Sequence, residues 1–290
     1  MTDVYFDNRI DDDRRRKLLY RGGVFVYSPT ENSRQLCALA REMAVEAFAP
    51  HDPREAQHAL SVQQFIEILT DLKPKFIHHP RAKELIPGIL GELGCNLDNT
   101  YFDVPRLRSS TSDQYLTSGI AYAFKPHRDT WYSTPLCQLN WWLPIYDIEP
   151  DNTMAFHPIY WDRPIKNSSR DFNYQEWQSG GRKNAAMHVG KDTRKQSEAE
   201  EPVILEPDLR IVAEPASIMI FSAAHMHSSV ANTSGLTRWS IDFRTVNTDE
   251  LRDNSGAPNI DGKSRGTTIQ DYLRGTDLSH VPDNIAAKFE

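Results

Sequence analysis

Tyr122-Ala-Phe-Lys-Pro-His127-Arg128-Asp129-Thr-Trp-Tyr132 is the stretch on which the reading of this chain turns. It sets an imidazole and a carboxylate one residue apart at the end of an apolar run. In extended backbone, residues i and i+2 point to the same face. His127 and Asp129 can therefore grip one metal ion from one side while Arg128 points away. A third ligand must come from elsewhere. Far along the chain, Phe221-Ser-Ala-Ala-His225-Met-His227-Ser-Ser-Val-Ala-Asn232-Thr-Ser-Gly-Leu-Thr-Arg238-Trp-Ser240 offers His225 and His227, spaced to face one side of a strand. Two imidazoles and one carboxylate fill three corners of an octahedron and leave three positions open.

The surrounding composition is that of a folded, enzyme-like chain. Its 290 residues allow one large domain or two small ones, and one core of that size buries most of its apolar surface. A net charge of −7 carries no basic footprint for nucleic acid. Apolar residues at 39% beside charged residues at 25% predict long polar loops. Cys37, Cys95 and Cys137 are far apart and form no CxxC pair, which excludes a disulfide framework and a structural zinc site. The acidic start of the chain lacks the apolar segment of a signal peptide. No apolar run reaches the roughly 18 residues of a membrane span. A soluble cytoplasmic protein with a small-molecule partner, and with neither nucleic acid nor membrane, is expected.

Residues 1–99 read as mostly helical, after a first strand at Gly23–Ser28. Ser33 is the expected N-cap of a helix with apolar spacing at Leu36, Leu39, Ala40, Met43, Ala44 and Phe48, closed by Pro50. Ser61 opens a second helix that should stop before Pro74, and a third covers about Ala82–Leu93 and ends at Gly94. His78 and His79 are neighbours that point in different directions, a poor chelate. From Thr100 the texture changes to short strands: Tyr101–Val104, Leu116–Phe124, Cys137–Ile145, Val203–Leu205, Ile211–Ala213, Ser217–Phe221 and Trp239–Val246. Such spacing predicts an antiparallel sandwich or barrel over 100–247. It is interrupted by a long polar insertion at 147–201, whose aromatic residues point to a lid and not to disorder. Residues 248–290 should wrap the surface.

A planar guanidinium can pair bidentately with a carboxylate, and Asn232-Thr-Ser-Gly235 is a turn signal that would bring Arg238 back beside the histidines. On these residues the chain resembles the phytanoyl-CoA dioxygenase-like branch of non-haem Fe(II)/2-oxoglutarate dioxygenases. In that branch the distal histidine precedes the carboxylate-binding arginine by eleven residues. Arg238 stands eleven after His227 and thirteen after His225, so the resemblance assigns His127, Asp129 and His227 to the metal and leaves His225 as a neighbour. It also implies that Trp142, in Gln138-Leu-Asn-Trp-Trp142-Leu-Pro-Ile-Tyr-Asp147, lies beside the co-substrate, and that Ser229 and Ser240 contact its carboxylate with Arg238. The implied fold is mainly β with flanking α: a double-stranded β-helix, or cupin-like jelly roll, with N-terminal helices.

The implied chemistry uses Fe(II), 2-oxoglutarate and O2 to oxidise an unactivated C–H bond. Related halogenases carry a small residue where Asp129 stands, so hydroxylation, ring closure or desaturation is expected instead. Arg128, Trp131, Tyr132, Tyr160, Trp161 and Trp177 are the expected substrate contacts, because aromatic faces among polar groups suit a sugar or similar natural product. His127-Arg-Asp-Thr-Trp-Tyr132 with Asn140-Trp-Trp142 also resembles the oxygenases of orthosomycin and aminoglycoside biosynthesis, which close orthoester or methylenedioxy bridges. No Lys/Arg cluster suits the phosphate tail of coenzyme A. The alternatives are a hydroxylase of a free amino acid or similar metabolite and, in another class, a cupin-type metal-binding protein without oxygenase activity. Arg238 speaks against the latter.

Overall fold

Helix caps and strand alternation divide the chain. The structure, a computed structural model, describes residues 2–117, 120, 125–181 and 196–289. Its first hundred residues hold β1 (Val4–Phe6), α1 (Asp12–Leu19), β2 (Val24–Tyr27), α2 (Glu31–Phe48), α3 (Val62–Ile77) and α4 (Pro80–Glu92). Ser61 caps α3 as the sequence predicts. The cap of α2 differs: it is Thr30, and Ser33 is the third helical residue. Thr30 accepts from the Ser33 amide, and the Ser33 hydroxyl accepts from the Thr30 amide, so the two form a reciprocal box. The α3 helix also runs past Pro74. Pro74 sits in the last turn and forfeits one backbone bond, worth roughly 1 kcal/mol. Burying Phe76 completely gains up to about 3 kcal/mol.

The remaining strands are β3 (Thr100–Phe102), β4 (Arg106–Ser110), β5 (Leu139–Pro144), β6 (Met154–Phe156), β7 (Leu209–Arg210), β8 (Ile218–Ser222), β9 (His227–Ser229), β10 (Arg238–Asn247) and β11 (Leu273–Arg274). Among the described residues they make an eight-stranded sheet, ordered β1-β2-β8-β5-β10-β3-β11 with β4 also on β10, and a three-stranded sheet β7-β6-β9. The chain passes from β5 in the large sheet to β6 and β7 in the small one, back to β8, across to β9, and back to β10. That winding between two packed sheets, antiparallel except where β1 joins β2, is a jelly roll.

Alternation along β10 sorts the two faces of the large sheet. Trp239, Ile241 and Phe243 point outward and are buried with Trp141, Leu143, Leu107 and the apolar faces of α2, α3 and α4. The other face meets the small sheet: Val24, Val26, Trp142, Met219 and Phe221 pack on Met154 and Phe156. Arg238, Ser240, Asp242 and Arg244 share this inner side and line a cavity.

Several expected strands shift. Val203–Leu205 is not a strand, and Ile211–Ala213 yields to Leu209–Arg210, which pairs with Ala155 and Phe156. Ile204, Leu205 and Val212 are exposed, so no partner face rewards their extension. The insertion at 147–201 is more than a lid, since it supplies β6, the central strand of the small sheet. Most of the expected strand Leu116–Phe124 and residues 182–195 of the insertion lie outside the described residues. No helix among the described residues is long and apolar enough to cross a membrane.

The C-terminal stretch pairs with β3 through β11 and reaches the 127–129 segment through Asp261. Asp261 accepts from Arg128 Nε at 3.2 Å, Trp131 Nε1 at 2.6 Å and the Ile165 amide at 2.9 Å. One buried carboxylate thus ties the His127-Arg128-Asp129 segment to the insertion. Removing it strands the buried Arg128 guanidinium. Asp261→Ala is expected to destabilise the fold by about 3–5 kcal/mol, read as a lower denaturant midpoint. An unchanged midpoint would contradict this role.

Candidate metal centre

Backbone pairing assembles the site. His127 and His227 exchange two hydrogen bonds, each amide donating to the other's carbonyl at 3.0 Å. This clamps the loop segment at 127 onto the start of β9 and leaves the imidazole centroids 4.4 Å apart. Arg128 is extended, with φ −110° and ψ 142°. The i, i+2 geometry expected of a strand therefore holds, although Asp129 itself opens a short 3-10 turn. Its Oδ1 lies 3.3 Å from His127 Nε2 and 3.9 Å from His227 Nε2. Three ligand atoms, one per residue, lie within 4.8 Å of one another. Ligands about 2.1 Å from an ion stand about 3 Å apart when cis, so small side-chain movements would let the triad close on a cation.

The donors are presented in the state a metal needs. Nδ1 of His127 faces the Lys125 carbonyl at 2.8 Å, and Nδ1 of His227 faces the His225 carbonyl at 2.9 Å. A carbonyl accepts only, so Nδ1 carries the proton and Nε2 offers its lone pair. Burial, with His127 alongside, pushes the His227 imidazole down to about 3, which keeps it neutral. Burial alone would raise the Asp129 carboxyl. Its polar surroundings, the Arg244 guanidinium among them, outweigh it and hold the group well below the usual range. The other oxygen, Oδ2, accepts from Gln138 Nε2 at 3.3 Å and lies 3.9 Å from Arg244 Nε. Tyr272 in turn donates to Gln138 Oε1 at 2.7 Å. Outer contacts of this kind fix a ligand's orientation.

His225 faces elsewhere. It sits in the turn before β9, fully buried, with Nε2 against the Gly22 carbonyl at 2.9 Å and its ring against Trp161 at 5.0 Å. The histidines therefore do not share a face, because the strand begins only at His227.

The triad opens into a cavity of about 990 Å3. Trp142, Ser229, Arg238 and Ser240 line it, as do Tyr132 and Trp177. The Arg238 guanidinium lies 5.5 Å over the Trp142 ring. Its Nε is buried without a hydrogen-bond partner among the described residues, and so is Ser240 Oγ. Burial, aided by Arg108, lowers the Arg238 guanidinium to about 10, still cationic at neutral pH.

The other four expected substrate contacts do not line the cavity. Arg128 is buried on Asp261 and on the carbonyls of Ala224, Tyr160 and Arg163. Trp131 and Tyr160 are buried together in a small apolar cluster with Ile165 and Met226, and Trp161 covers Gly22. Conversely, Asn140, Gln138, Arg244 and Tyr272 line the cavity near Asp129 without having been singled out. The strand parity of Arg238 was the available signal for Arg244.

No family model matches the chain, and no curated protein matches it. Solved structures resemble it distantly. The non-haem alpha-ketoglutarate-dependent carbocyclase SnoK from nogalamycin biosynthesis aligns over 81% of this chain and 84% of its own, at 14% identity and TM-score 0.40. AviO1 from Streptomyces viridochromogenes Tue57 aligns over 84% and 97%, at 11% identity and TM-score 0.40. The epimerase SnoN, crystallised with Fe3+, alpha-ketoglutarate and nogalamycin RO, aligns over 81% and 83%, at 14% identity and TM-score 0.38.

The two distal histidines are separable by experiment. His225→Ala should retain near-stoichiometric Fe(II) in anaerobic equilibrium dialysis, whereas His227→Ala should lose most of it. The reverse ranking would overturn the choice of ligand.

Proposed function

We propose that this chain is an Fe(II)- and 2-oxoglutarate-dependent oxygenase that oxidises a C–H bond of a polar small molecule, a glycoside-like natural product. The observation that carries this reading is the conjunction, in one cavity, of a two-histidine, one-carboxylate triad and a buried arginine that makes no salt bridge among the described residues. The donor set suits ferrous iron with three positions left open. Iron and 2-oxoglutarate together supply the oxidation of C–H by O2, coupled to release of succinate and CO2.

The chain's own residues bind and orient. Nε2 of His127, Nε2 of His227 and Oδ1 of Asp129 hold the metal. Arg238 takes the far carboxylate of the diacid, and the Ser240 hydroxyl, without a partner among the described residues, donates to it. Ser229 adds a second hydroxyl, and Trp142 walls the diacid against water. Tyr132, edge-on to His127 at 5.7 Å, and Trp177 offer flat faces to a sugar ring. The carboxylate at 129 fills the corner a halide would need, so the outcome is hydroxylation or oxidative ring closure.

Two measurements test this. Anaerobic Fe(II) with 2-oxoglutarate should give the weak visible absorption of the chelate, and in air succinate should accumulate. Arg238→Ala should weaken 2-oxoglutarate at least tenfold, since truncating one partner of a buried charge pair costs about 2–5 kcal/mol, with metal content unchanged. Loss of metal in that variant, or no change in 2-oxoglutarate affinity, would remove Arg238 from the proposed role.

A further inference from the structure

The cavity continues beyond Arg238, between the edge strand β4 and α3. Thr70, Lys73, Pro74 and Ile77 form one stripe of α3 along it, while Phe65, Ile66, Leu69, Leu72 and Phe76 fill the core. Arg106 and Arg108 of β4 stand on the same cavity. Arg106 pairs with Asp103, which also takes Arg244. Arg108 pairs with Asp242, Nη2 to Oδ2 at 3.2 Å with a closer Nε–Oδ1 contact. Lys73 has no carboxylate in contact among the described residues; its Nζ donates to the Ile120 carbonyl.

The charges of Arg108 and Asp242 act on both Lys73 and Arg238. All four line the same cavity, so Lys73, Arg108 and Arg238 share the carboxylate of Asp242 there, which Arg244 and Arg106 also approach. Burial, reinforced by Arg108, pushes the Lys73 ammonium down to about 7. Uncompensated charge in such a place is unfavourable. The diacid assigned above neutralises Arg238 and leaves Lys73.

We propose that Lys73, backed by Arg108, anchors an anionic oxyacid group of the substrate, a carboxylate or phosphate remote from the carbon that is oxidised. This rests on the reading of the site as a 2-oxoglutarate oxygenase, and it narrows the substrate to an acidic glycoside-like molecule. Volume agrees: about 990 Å3 is at the upper end of sites for drug-sized ligands, far beyond the needs of a five-carbon diacid.

The test compares wild type, Lys73→Met and Lys73→Arg, each loaded anaerobically with Fe(II) and saturated with 2-oxoglutarate. Glucuronate and glucose, which differ by one carboxylate, are titrated by calorimetry. Wild type and Lys73→Arg should prefer glucuronate at least tenfold, and Lys73→Met should lose that preference. All three should bind 2-oxoglutarate within twofold of one another. Lys73→Met keeps the apolar stem, and an unfolding midpoint no lower than wild type verifies its fold; Lys73→Gln serves if it fails. A preference that survives in Lys73→Met, or is missing in wild type, overturns the inference. So does a loss of 2-oxoglutarate affinity in Lys73→Met as large as in Arg238→Ala, which would give Lys73 to the co-substrate. If wild type does not bind 2-oxoglutarate, the proposed function falls separately. Inorganic phosphate titrated into Arg238→Ala with and without Lys73→Met then decides the subsite: a tenfold loss on removing the lysine upholds it, and equal binding ends it.

Discussion

The site depends on two backbone hydrogen bonds, exchanged between His127 and His227. They join a loop segment to the first residue of a short strand. Everything chemical is downstream of that pairing. It sets the two imidazoles side by side, fixes Asp129 below them, and directs both Nδ1 atoms at carbonyls so that both Nε2 atoms face inward. The side chain between His127 and Asp129 has the complementary task. Arg128 turns away from the cavity and is held on Asp261, so the segment is clamped on both of its faces.

The large sheet has a similar division of labour. Its outer face is apolar and packs on three helices. Its inner face is charged where β10 crosses β4, and aromatic where β5 and β8 meet the small sheet. A charged face inside a jelly roll is tolerable only if its charges are matched. Asp103 and Asp242 match part of them, and a metal-bound diacid would match Arg238. The helical layer is therefore more than packing, because one stripe of α3 extends the cavity past the sheet edge with a lysine and three less polar residues.

Much of this was legible in the residues. The spacing in His127-Arg128-Asp129 is a statement about which side chains share a face, and it survives although the strand is only a bridge. The alternation in Trp141-Trp142 put one ring in the core and one in the cavity. The same parity along β10 would have added Arg244 to Arg238. Other features had no local signal. The strand β4 reads Arg-Leu-Arg-Ser-Ser, with a single large apolar residue, because its charged positions face a cavity and not water. After Asp129 and within the insertion, sequence cannot distinguish an aromatic that faces the cavity from one that faces core. Trp131 and Tyr160 went to the core and Trp161, partly buried, went to cover Gly22, through partners far away in the chain, Asp261 and Gly22 among them. Tyr132 and Trp177 went to the cavity.

The central claim is that three residues from two distant segments hold one ferrous ion while Arg238 clasps the far end of a diacid. A crystal soaked anaerobically with Fe(II) and 2-oxoglutarate tests it most directly. The account predicts one ion bound by Nε2 of His127, Nε2 of His227 and the carboxylate of Asp129, with the distal carboxylate of the diacid on the Arg238 guanidinium. An ion bound elsewhere, or a diacid that leaves Arg238 untouched, would contradict it.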